Sequence, residues 1–264
     1  VDPADLKVGF IFIGDENEGY TAAHYAGAKK MQEALGLKDD QLIVKWNTPE
    51  DETAYDAAVD LADQGCQLVF ANSFGQEDYV KQAAEEFPDV QFCHATGFQA
   101  ASSGLDNFHN FFTNIYESRY VSGVVAGMKL NEMKEKDPSM DLKIGYVGAW
   151  GKDNAEVTGG CDAFAMGVYS VNPDATVYIK TTNSWYDPEG EKQAAVALIN
   201  EGCDVIGQHC DTPNPQLAAE EAGVFGVGYN SDMSKDAPKA VLTSTVWNWG
   251  AYYTKAVQDL IDGT

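Results

Sequence analysis

Aromatic and polar side chains alternate in the loops that follow the predicted strands of this 264-residue chain. Flat rings stack on the faces of a flat ligand, while carboxylates and amides hydrogen-bond to its edges. The pattern therefore predicts a slot for a flat, polar, uncharged molecule: a nucleobase or nucleoside first, and a sugar second. The candidate ligand-binding residues are Asn17, Tyr20, Phe74, Trp150, Trp185, Asp187, Asp211, Asn230 and Trp247.

The residue types that perform catalysis are present but poorly arranged for it. His209, Cys210 and Asp211 are consecutive at the end of a predicted strand, so their side chains alternate between faces and cannot form a triad by themselves. We expect a binding protein and not an enzyme, with a nucleoside-processing hydrolase as the alternative.

Neither a metal nor an organic cofactor is expected. The four histidines stand far apart in the sequence, whereas zinc needs three or four converging ligands. The loop Gly14–Tyr20 after the first strand is not GxGxxG, and it carries acids where a dinucleotide phosphate needs bare amides.

Composition limits the partners further. The net charge is −24 and Arg119 is the single arginine, which disfavours nucleic acids and anionic membrane surfaces. No stretch approaches the roughly 20 apolar residues of a membrane helix. The five cysteines are expected to be buried thiols, although a disulfide from Cys161 to Cys203 or Cys210 stays open.

Two segments of the chain occur twice at nearly the same offset. Leu6–Ile11 returns as Leu142–Val147, and Leu61–Cys66 returns as Leu198–Cys203. The repetition predicts two similar lobes with a ligand cleft between them. We place lobe 1 at residues 1–115 plus 248–264 and lobe 2 at residues 116–247, with hinge crossovers near residues 114–120 and 244–249.

Strand and helix patterns alternate within each predicted lobe, which calls for parallel sheets with helices on both faces, as in Rossmann-like α/β folds. Ligands of such sheets bind at the carboxyl ends of the strands. The predicted strands are Val8–Ile13, Gln41–Trp46, Leu68–Ala71, Val90–Cys93, Lys143–Val147, Thr176–Lys180, Asp204–Gln208, Val224–Gly228 and Ala240–Thr245. The predicted helices are Tyr20–Leu35, Glu52–Gln64, Glu77–Glu86, Tyr116–Lys134, Ala155–Tyr169, Glu189–Asn200, Pro215–Ala222 and Gly250–Asp262.

Four segments resemble the basic membrane protein (BMP) family, the purine-nucleoside-receptor-like, extracytoplasmic solute-binding lipoproteins of ABC importers. They are Gly19-Tyr20-Thr21-x-x-His24-x-x-Gly27, Asn183–Pro188, Gln208–Asp211 and Leu242–Trp249. The resemblance covers nearly the whole chain. It implies a type I periplasmic-binding-protein architecture that captures a purine base or nucleoside by closing its two lobes.

The resemblance also implies roles for particular residues. The aromatic side chain that stacks on the purine falls on Trp185, and its partner from lobe 1 falls on Tyr20. Asn230 stands where the family's ribose-binding aspartate aligns, and Trp247 stands where many members have a lysine. These two departures favour a free base such as adenine over a nucleoside.

The family implies a setting as well. We expect a monomer outside the cytoplasm, held at the membrane only through a lipid anchor on the precursor that this chain lacks. Its partners would be the small-molecule ligand and the membrane subunits of an ABC importer.

Overall fold

The protein is described by a computed structural model that covers all residues from Val1 to Thr264. The chain divides into two compact units, one formed by Val1–Thr113 with Asn248–Thr264 and the other by Asn114–Trp247. Each unit contains one five-stranded sheet whose strands all run parallel. The predicted two-lobed α/β fold is therefore confirmed. The first crossover falls after Thr113, two residues before the expected position after residue 115.

Unit 1 is built on a sheet with the strand order β2-β1-β3-β4-β5. Its strands are β1 Val8–Ile11, β2 Leu42–Lys45, β3 Leu68–Ala71, β4 Gln91–Ala95 and β5 Phe108–Phe111. Its helices are α1 Gly19–Leu35, α2 Glu52–Asp63, α3 Glu77–Glu86, the short α4 Ala100–Ser103 and, after the chain returns from unit 2, α9 Trp249–Asp262.

Unit 2 repeats this plan with the strand order β10-β9-β8-β6-β7. Its strands are β6 Lys143–Gly148, β7 Thr176–Thr181, β8 Val205–His209, β9 Phe225–Asn230 and β10 Val241–Val246. Its helices are α5 Ile115–Lys136, α6 Ala155–Val171, α7 Pro188–Asn200 and α8 Asn214–Ala222.

The inner strands of both sheets are covered on both faces. Every residue of β1, β3 and β8 is buried, as expected for parallel strands between two layers of helices. The predicted continuation of β1 to Ile13 is wrong because the Ile13 N–H turns to the Asn72 side chain, at 2.9 Å, and leaves the ladder. The strand β5 and the short helix α4 were not predicted.

Helix starts fix several of the candidate side chains. Glu18 caps α1 by accepting hydrogen bonds from Tyr20 N at 2.6 Å and Thr21 N at 2.8 Å. Asp187 caps α7 by accepting from Gly190 N at 3.0 Å, and Pro188 occupies the first turn. The start of α7 follows the usual preferences for an aspartate at the cap and proline just inside the helix.

The largest helix contact of unit 2 joins α5 to α6 through glycine. A Cβ added to Gly123 would overlap the Phe164 carbonyl oxygen, and one added to Gly167 would overlap the Tyr120 carbonyl oxygen. The two helix backbones therefore approach more closely than any side chain allows. The same packing brings Arg119 of α5 beside Gly160 of α6, where an added Cβ would lie 2.8 Å from Arg119 Nε.

All five cysteines are buried free thiols, so neither pairing of Cys161 is formed. No helix has the length and apolar character that a membrane crossing requires.

Candidate functional site

The carboxyl edge of the unit 1 sheet is organised around Asn72, which follows β3. Its Oδ1 accepts from Ile13 N at 2.9 Å, its Nδ2 donates to Thr21 Oγ1 at 3.2 Å, and its carbonyl accepts from Tyr20 Oη at 2.8 Å. Asn72 is fully buried, so these bonds satisfy groups that water cannot reach. They hold Tyr20, a predicted stacking residue, in one orientation at the start of α1.

A buried histidine supports Tyr20 from behind. His24 lies one turn further along α1, its ring meets the Tyr20 ring edge-on at 4.4 Å, and it stacks on Trp249 at 4.1 Å. His24 Nδ1 also contacts Tyr253 Oη of α9 at 2.5 Å. Burial holds the pKa of His24 well below its ordinary value, so the ring is neutral. Its position matches a packed core histidine.

The other two candidates of unit 1 are more exposed. Asn17 bends back so that its backbone N and its Nδ2 both donate to Asp15 Oδ1, at 2.8 and 3.0 Å. Phe74 is 53% exposed, and its ring lies 6.4 Å from that of Phe98, which is 71% exposed. Phe98 was not selected from the sequence. Its loop is fixed by the buried Glu77, whose Oε1 accepts from Phe98 N at 2.8 Å.

In unit 2, two candidate tryptophans meet at the sheet edge. The Trp150 ring, after β6, meets the Trp185 ring, after β7, edge-on at 6.3 Å. Trp185 O also accepts from Asp211 N at 3.0 Å, which ties this loop to the end of β8. Asp187 uses Oδ1 for the cap of α7, so part of its hydrogen-bonding capacity serves the helix.

The remaining three candidates form one hydrogen-bonded chain. Trp247 Nε1 donates to Asn230 Oδ1 at 2.7 Å, and Asn230 Nδ2 donates to Asp211 Oδ1 at 2.7 Å. Asn230 has φ of 70°, a left-handed conformation that asparagine tolerates better than most residues. The three side chains are buried, with Trp247 9% exposed. Unit 2 thus brings together residues that lie far apart in the sequence.

Three residues behind this chain were not included among the sequence-based candidates. The Arg119 guanidinium lies 4.3 Å from the centre of the Tyr229 ring, and the His209 ring meets the Tyr229 ring at 5.0 Å and the Trp185 ring at 6.0 Å. In the sequence, Arg119 stands out as the single arginine, and His209 as part of the run His209–Asp211 at a predicted strand end. Burial, with help from the Arg119 charge, lowers the pKa of His209 to about 4, so this ring is neutral at pH 7.

Nucleophilic chemistry is poorly supported at this edge. Burial raises the pKa of the Cys210 thiol well above its ordinary value, and the charges of Glu191 and Asp211 act in the same direction. A reactive cysteine needs the opposite, a lowered pKa and access to substrate. No group of three or more His, Cys, Asp and Glu side chains is arranged to hold a metal ion.

A protein-family model described as "ABC transporter substrate-binding protein PnrA-like" (Bmp) matches residues 7–264. A purine-binding protein of Brucella abortus is 39% identical over 260 residues, which cover 98% of this chain and 70% of that protein. A protein of Haloferax volcanii with a provisional assignment as an ABC transporter glucose-binding protein is 36% identical over 197 residues. That match covers 75% of this chain and 46% of the Haloferax protein, so the chain spans less than half of its length.

Solved structures show the same fold at low sequence identity. An ABC transporter solute-binding protein from Aeropyrum pernix K1 superposes with a TM-score of 0.82 at 18% identity, covering 98% of this chain and 71% of that one. One from Conexibacter woesei superposes with a TM-score of 0.74 at 22% identity, covering 98% and 82%. The fold is that of the type I solute-binding proteins.

Proposed function

Because the chain belongs to the Bmp family of PnrA-like ABC transporter substrate-binding proteins, we propose that it binds a purine base, of which adenine is the favoured example. Proteins of this family are substrate-binding components and not enzymes. The proposal concerns which substrate this member takes, and it is carried by the chemistry of the edge of unit 2.

The observation that carries the proposal is the buried chain from Trp247 through Asn230 to Asp211, beside the Trp150–Trp185 pair. Aromatic rings suit the two faces of a purine, and an amide and a carboxylate suit its mixed edge of N–H donors and ring-nitrogen acceptors. Since Asn230 Oδ1 and Nδ2 are both engaged within the protein, Asn230 mainly orients the Asp211 carboxylate. The purine-binding relative from Brucella, at 39% identity, supports the same ligand class.

A sugar is the second candidate, because the Haloferax relative carries a provisional assignment as a glucose-binding protein. Sugars also stack on tryptophan and accept and donate hydrogen bonds around their rim. The two ligands need different side chains from the site. A purine needs aromatic rings on its two flat faces, whereas a sugar needs carboxylates and amides for its hydroxyl groups.

The family membership suggests the wider role. The protein would deliver its ligand to the membrane subunits of an ABC importer, on the outer side of the membrane, with a lipid anchor on the precursor. The sequence-based prediction that a ligand between the lobes closes them about the crossovers near residues 114–120 and 244–249 stays a prediction. Small-angle scattering with and without ligand measures it, because closure reduces the radius of gyration.

The direct test is to identify small molecules released from the purified protein by denaturation, using mass spectrometry. Titration calorimetry with adenine, adenosine, hypoxanthine and glucose then ranks the ligands on protein freed of its own ligand. We expect adenine to bind most tightly and to be recovered unchanged. Tight binding of glucose with no response to any purine would contradict the proposal, and conversion of adenosine into base and ribose would favour the hydrolase alternative.

A second test concerns the Asp211 charge. Asp211→Asn keeps an oxygen that can accept from Asn230 Nδ2 but removes the negative charge. If the carboxylate accepts an N–H of the base, adenine binding should weaken by about 10-fold or more, because hydrogen bonds to charged groups contribute about 1.5–3 kcal/mol. Wild-type affinity in this variant would remove Asp211 from the ligand contacts.

A further inference from the structure

The chain's single arginine is buried without a carboxylate partner. Arg119 is 2% exposed, and no Asp or Glu oxygen lies within ion-pair distance of its guanidinium. Nη1 donates to Tyr146 Oη at 2.8 Å and to Gln208 O at 3.1 Å, while Nε and Nη2 have no hydrogen-bond acceptor. A permanent cation taken out of water needs compensating negative charge, so its surroundings should contain an indirect counter-ion.

His209 stands beside this cation. A Cβ built on Gly160 would lie 2.8 Å from Arg119 Nε and 2.9 Å from His209 Nδ1, so the absence of a side chain at Gly160 lets the two groups share one space. His209 is fully buried, and the low pKa given above keeps it neutral. A neutral imidazole has one nitrogen that donates and one that accepts. The cation favours the lone pair on the Nδ1 side.

The other ring nitrogen faces a carboxylate. His209 Nε2 lies 3.4 Å from Glu156 Oε1, and a neutral ring with its proton on Nε2 presents a partial positive charge to this carboxylate. Glu156 is in the first turn of α6, where the helix dipole favours negative charge. The three groups therefore run as cation, neutral ring and anion from the interior of unit 2 toward its surface.

Glu156 has hydrogen-bonding capacity that the protein does not use. Its side chain is 24% exposed, and its contact with His209 is made by Oε1. By contrast, Asp211 Oδ1 accepts from Asn230. Through His209, Glu156 is also one ring away from Trp185, a predicted stacking residue.

We propose that Glu156 is a further ligand-contacting residue, whose carboxylate accepts an N–H of the bound base and is held in place by Arg119 through His209. The inference rests on the proposed purine-base function and adds to it a specificity determinant. Glu156 selects for a base with an N–H donor on the edge that meets it, and Arg119 and His209 are positioning residues.

The ligand test compares two analogues that each lack one donor of adenine. Unsubstituted purine lacks the exocyclic amine, and 9-methyladenine lacks the N9–H. Glu156→Gln should weaken adenine binding by about 10-fold or more, the range of a charged hydrogen bond. For the analogue that lacks the N–H contacted by Glu156, the affinities of Glu156→Gln and the wild type should differ by less than about threefold. Glu189→Gln is the matched control, because Glu189 is an exposed residue in the first turn of α7, and it should bind adenine like the wild type.

The positioning of Glu156 by Arg119 and His209 can be tested without a ligand. Long-range ¹H–¹⁵N spectra of the imidazole rings at pH 7 distinguish the two neutral tautomers from the imidazolium, and His209→Gln identifies the signal among the four histidines. We expect the tautomer with the proton on Nε2. Arg119→Lys, which keeps the charge, should keep this tautomer, whereas Arg119→Met should lose the preference; a thermal melt shows whether each variant folds.

The outcomes separate the two proposals. Wild-type protein that binds no purine overturns the proposed function and this inference with it. Wild-type protein that binds adenine while folded Glu156→Gln binds it within twofold overturns the inference alone. A protonated His209 or a proton on Nδ1 overturns the arrangement that holds Glu156.

Discussion

The two units share a scaffold and differ at the sheet edge. In unit 1, Gly9 of β1 lies against Leu61 of α2, and in unit 2 the equivalent Gly145 of β6 lies against Leu198 of α7. The hydrogen bonds from lysine to the backbone also match, since Lys7 Nζ donates to Gln64 O and Lys143 Nζ donates to Glu201 O. The repeated sequence therefore records packing between strand and helix.

The edges that follow the strands are different in kind. In unit 1 the Tyr20 side chain contacts uncharged groups, Asn72 and the neutral His24, while the Glu18 carboxylate bonds to the Tyr20 backbone N–H. Unit 2 places charges there, with Arg119 behind Tyr229, and with Glu156 and Asp211 nearby. The duplicated scaffold can carry either chemistry because the loops after the strands contribute little to the core. Four predictions test this contrast, beginning with the largest expected effect.

The crossing of α5 and α6 in unit 2 brings the two helix backbones closer together than a side chain would allow. Gly123→Ala should destabilise unit 2 by about 3 kcal/mol or more, because the added Cβ overlaps a backbone carbonyl that cannot move alone. Gly159→Ala, on the neighbouring helix with open space around it, should instead stabilise by about 0.5–1 kcal/mol. Urea unfolding followed by circular dichroism measures both. Equal effects of the two changes would show that the crossing tolerates a side chain.

Each unit buries a neutral histidine, so both should lose stability in acid. Burial lowers the pKa of His209 to about 4 and that of His24 well below its ordinary value, whereas both approach about 6.5 in the unfolded chain. Below pH 6.5 the unfolded state binds protons that the folded state does not. The stability is therefore complete above pH 6.5 and falls as the pH drops toward 4.

For His209 the loss between pH 7 and pH 5 should be about 2 kcal/mol. The free energy of unfolding, measured in urea across this range, should fall less steeply in His209→Gln than in the wild type, and likewise in His24→Gln. If the free energy of unfolding of one variant falls with pH as steeply as that of the wild type, the replaced histidine does not contribute. The two units would then differ in their response to acid.

The two predicted stacking residues test whether both edges contact ligand. Trp185→Ala should weaken adenine binding by roughly 5- to 150-fold, since a base–aromatic stack contributes about 1–3 kcal/mol. Tyr20→Ala should have an effect in the same range. Calorimetry measures both, with Trp185→Phe, which keeps a ring, and Tyr186→Ala, which removes an exposed neighbour, as controls. An effect in unit 2 alone would restrict recognition to the charged edge.

The smallest effects should be equal in the two copies. Gly65 and Gly202 precede the final cysteine of the repeated segments and have φ of 84° and 89°, a conformation that costs other residues about 1–2 kcal/mol. Gly65→Ala and Gly202→Ala should therefore each destabilise by about 1 kcal/mol, as neither added Cβ meets a close neighbour. Markedly unequal melting temperatures would indicate that the repeat has diverged in its packing.

Most of the fold followed from the sequence. The buried runs of β3 and the helix α3 were predicted with their observed ends, because an apolar run between polar turns and an amphipathic period are local properties. The errors occurred where tertiary contacts set an end. β1 stops at Ile11 because Asn72, distant in the sequence, takes the Ile13 N–H.

The candidate site was predictable in part. Strand ends are visible in the sequence, and parallel topology brings them to one edge, which is why Trp150, Trp185 and Asp211 could be grouped before their contacts were known. Their bonding was not predictable. Nothing in the spacing of Trp247, Asn230 and Asp211 indicates that one amide joins the other two side chains.

The sequence by itself determined two parallel α/β units, the duplicated strand–helix packing and the residues at the strand ends. These features depend on local periodicity and on the size of side chains, which each copy carries in its own segment. Only the tertiary structure decided that Arg119, His209 and Glu156 form one series. They come from α5, β8 and α6, and they meet because helix backbones cross at Gly123 and Gly167, where Gly160 leaves the space that a side chain would fill. These contacts depend on how α5, α6 and β8 pack in three dimensions, and the spacing of residues along the chain does not indicate that packing.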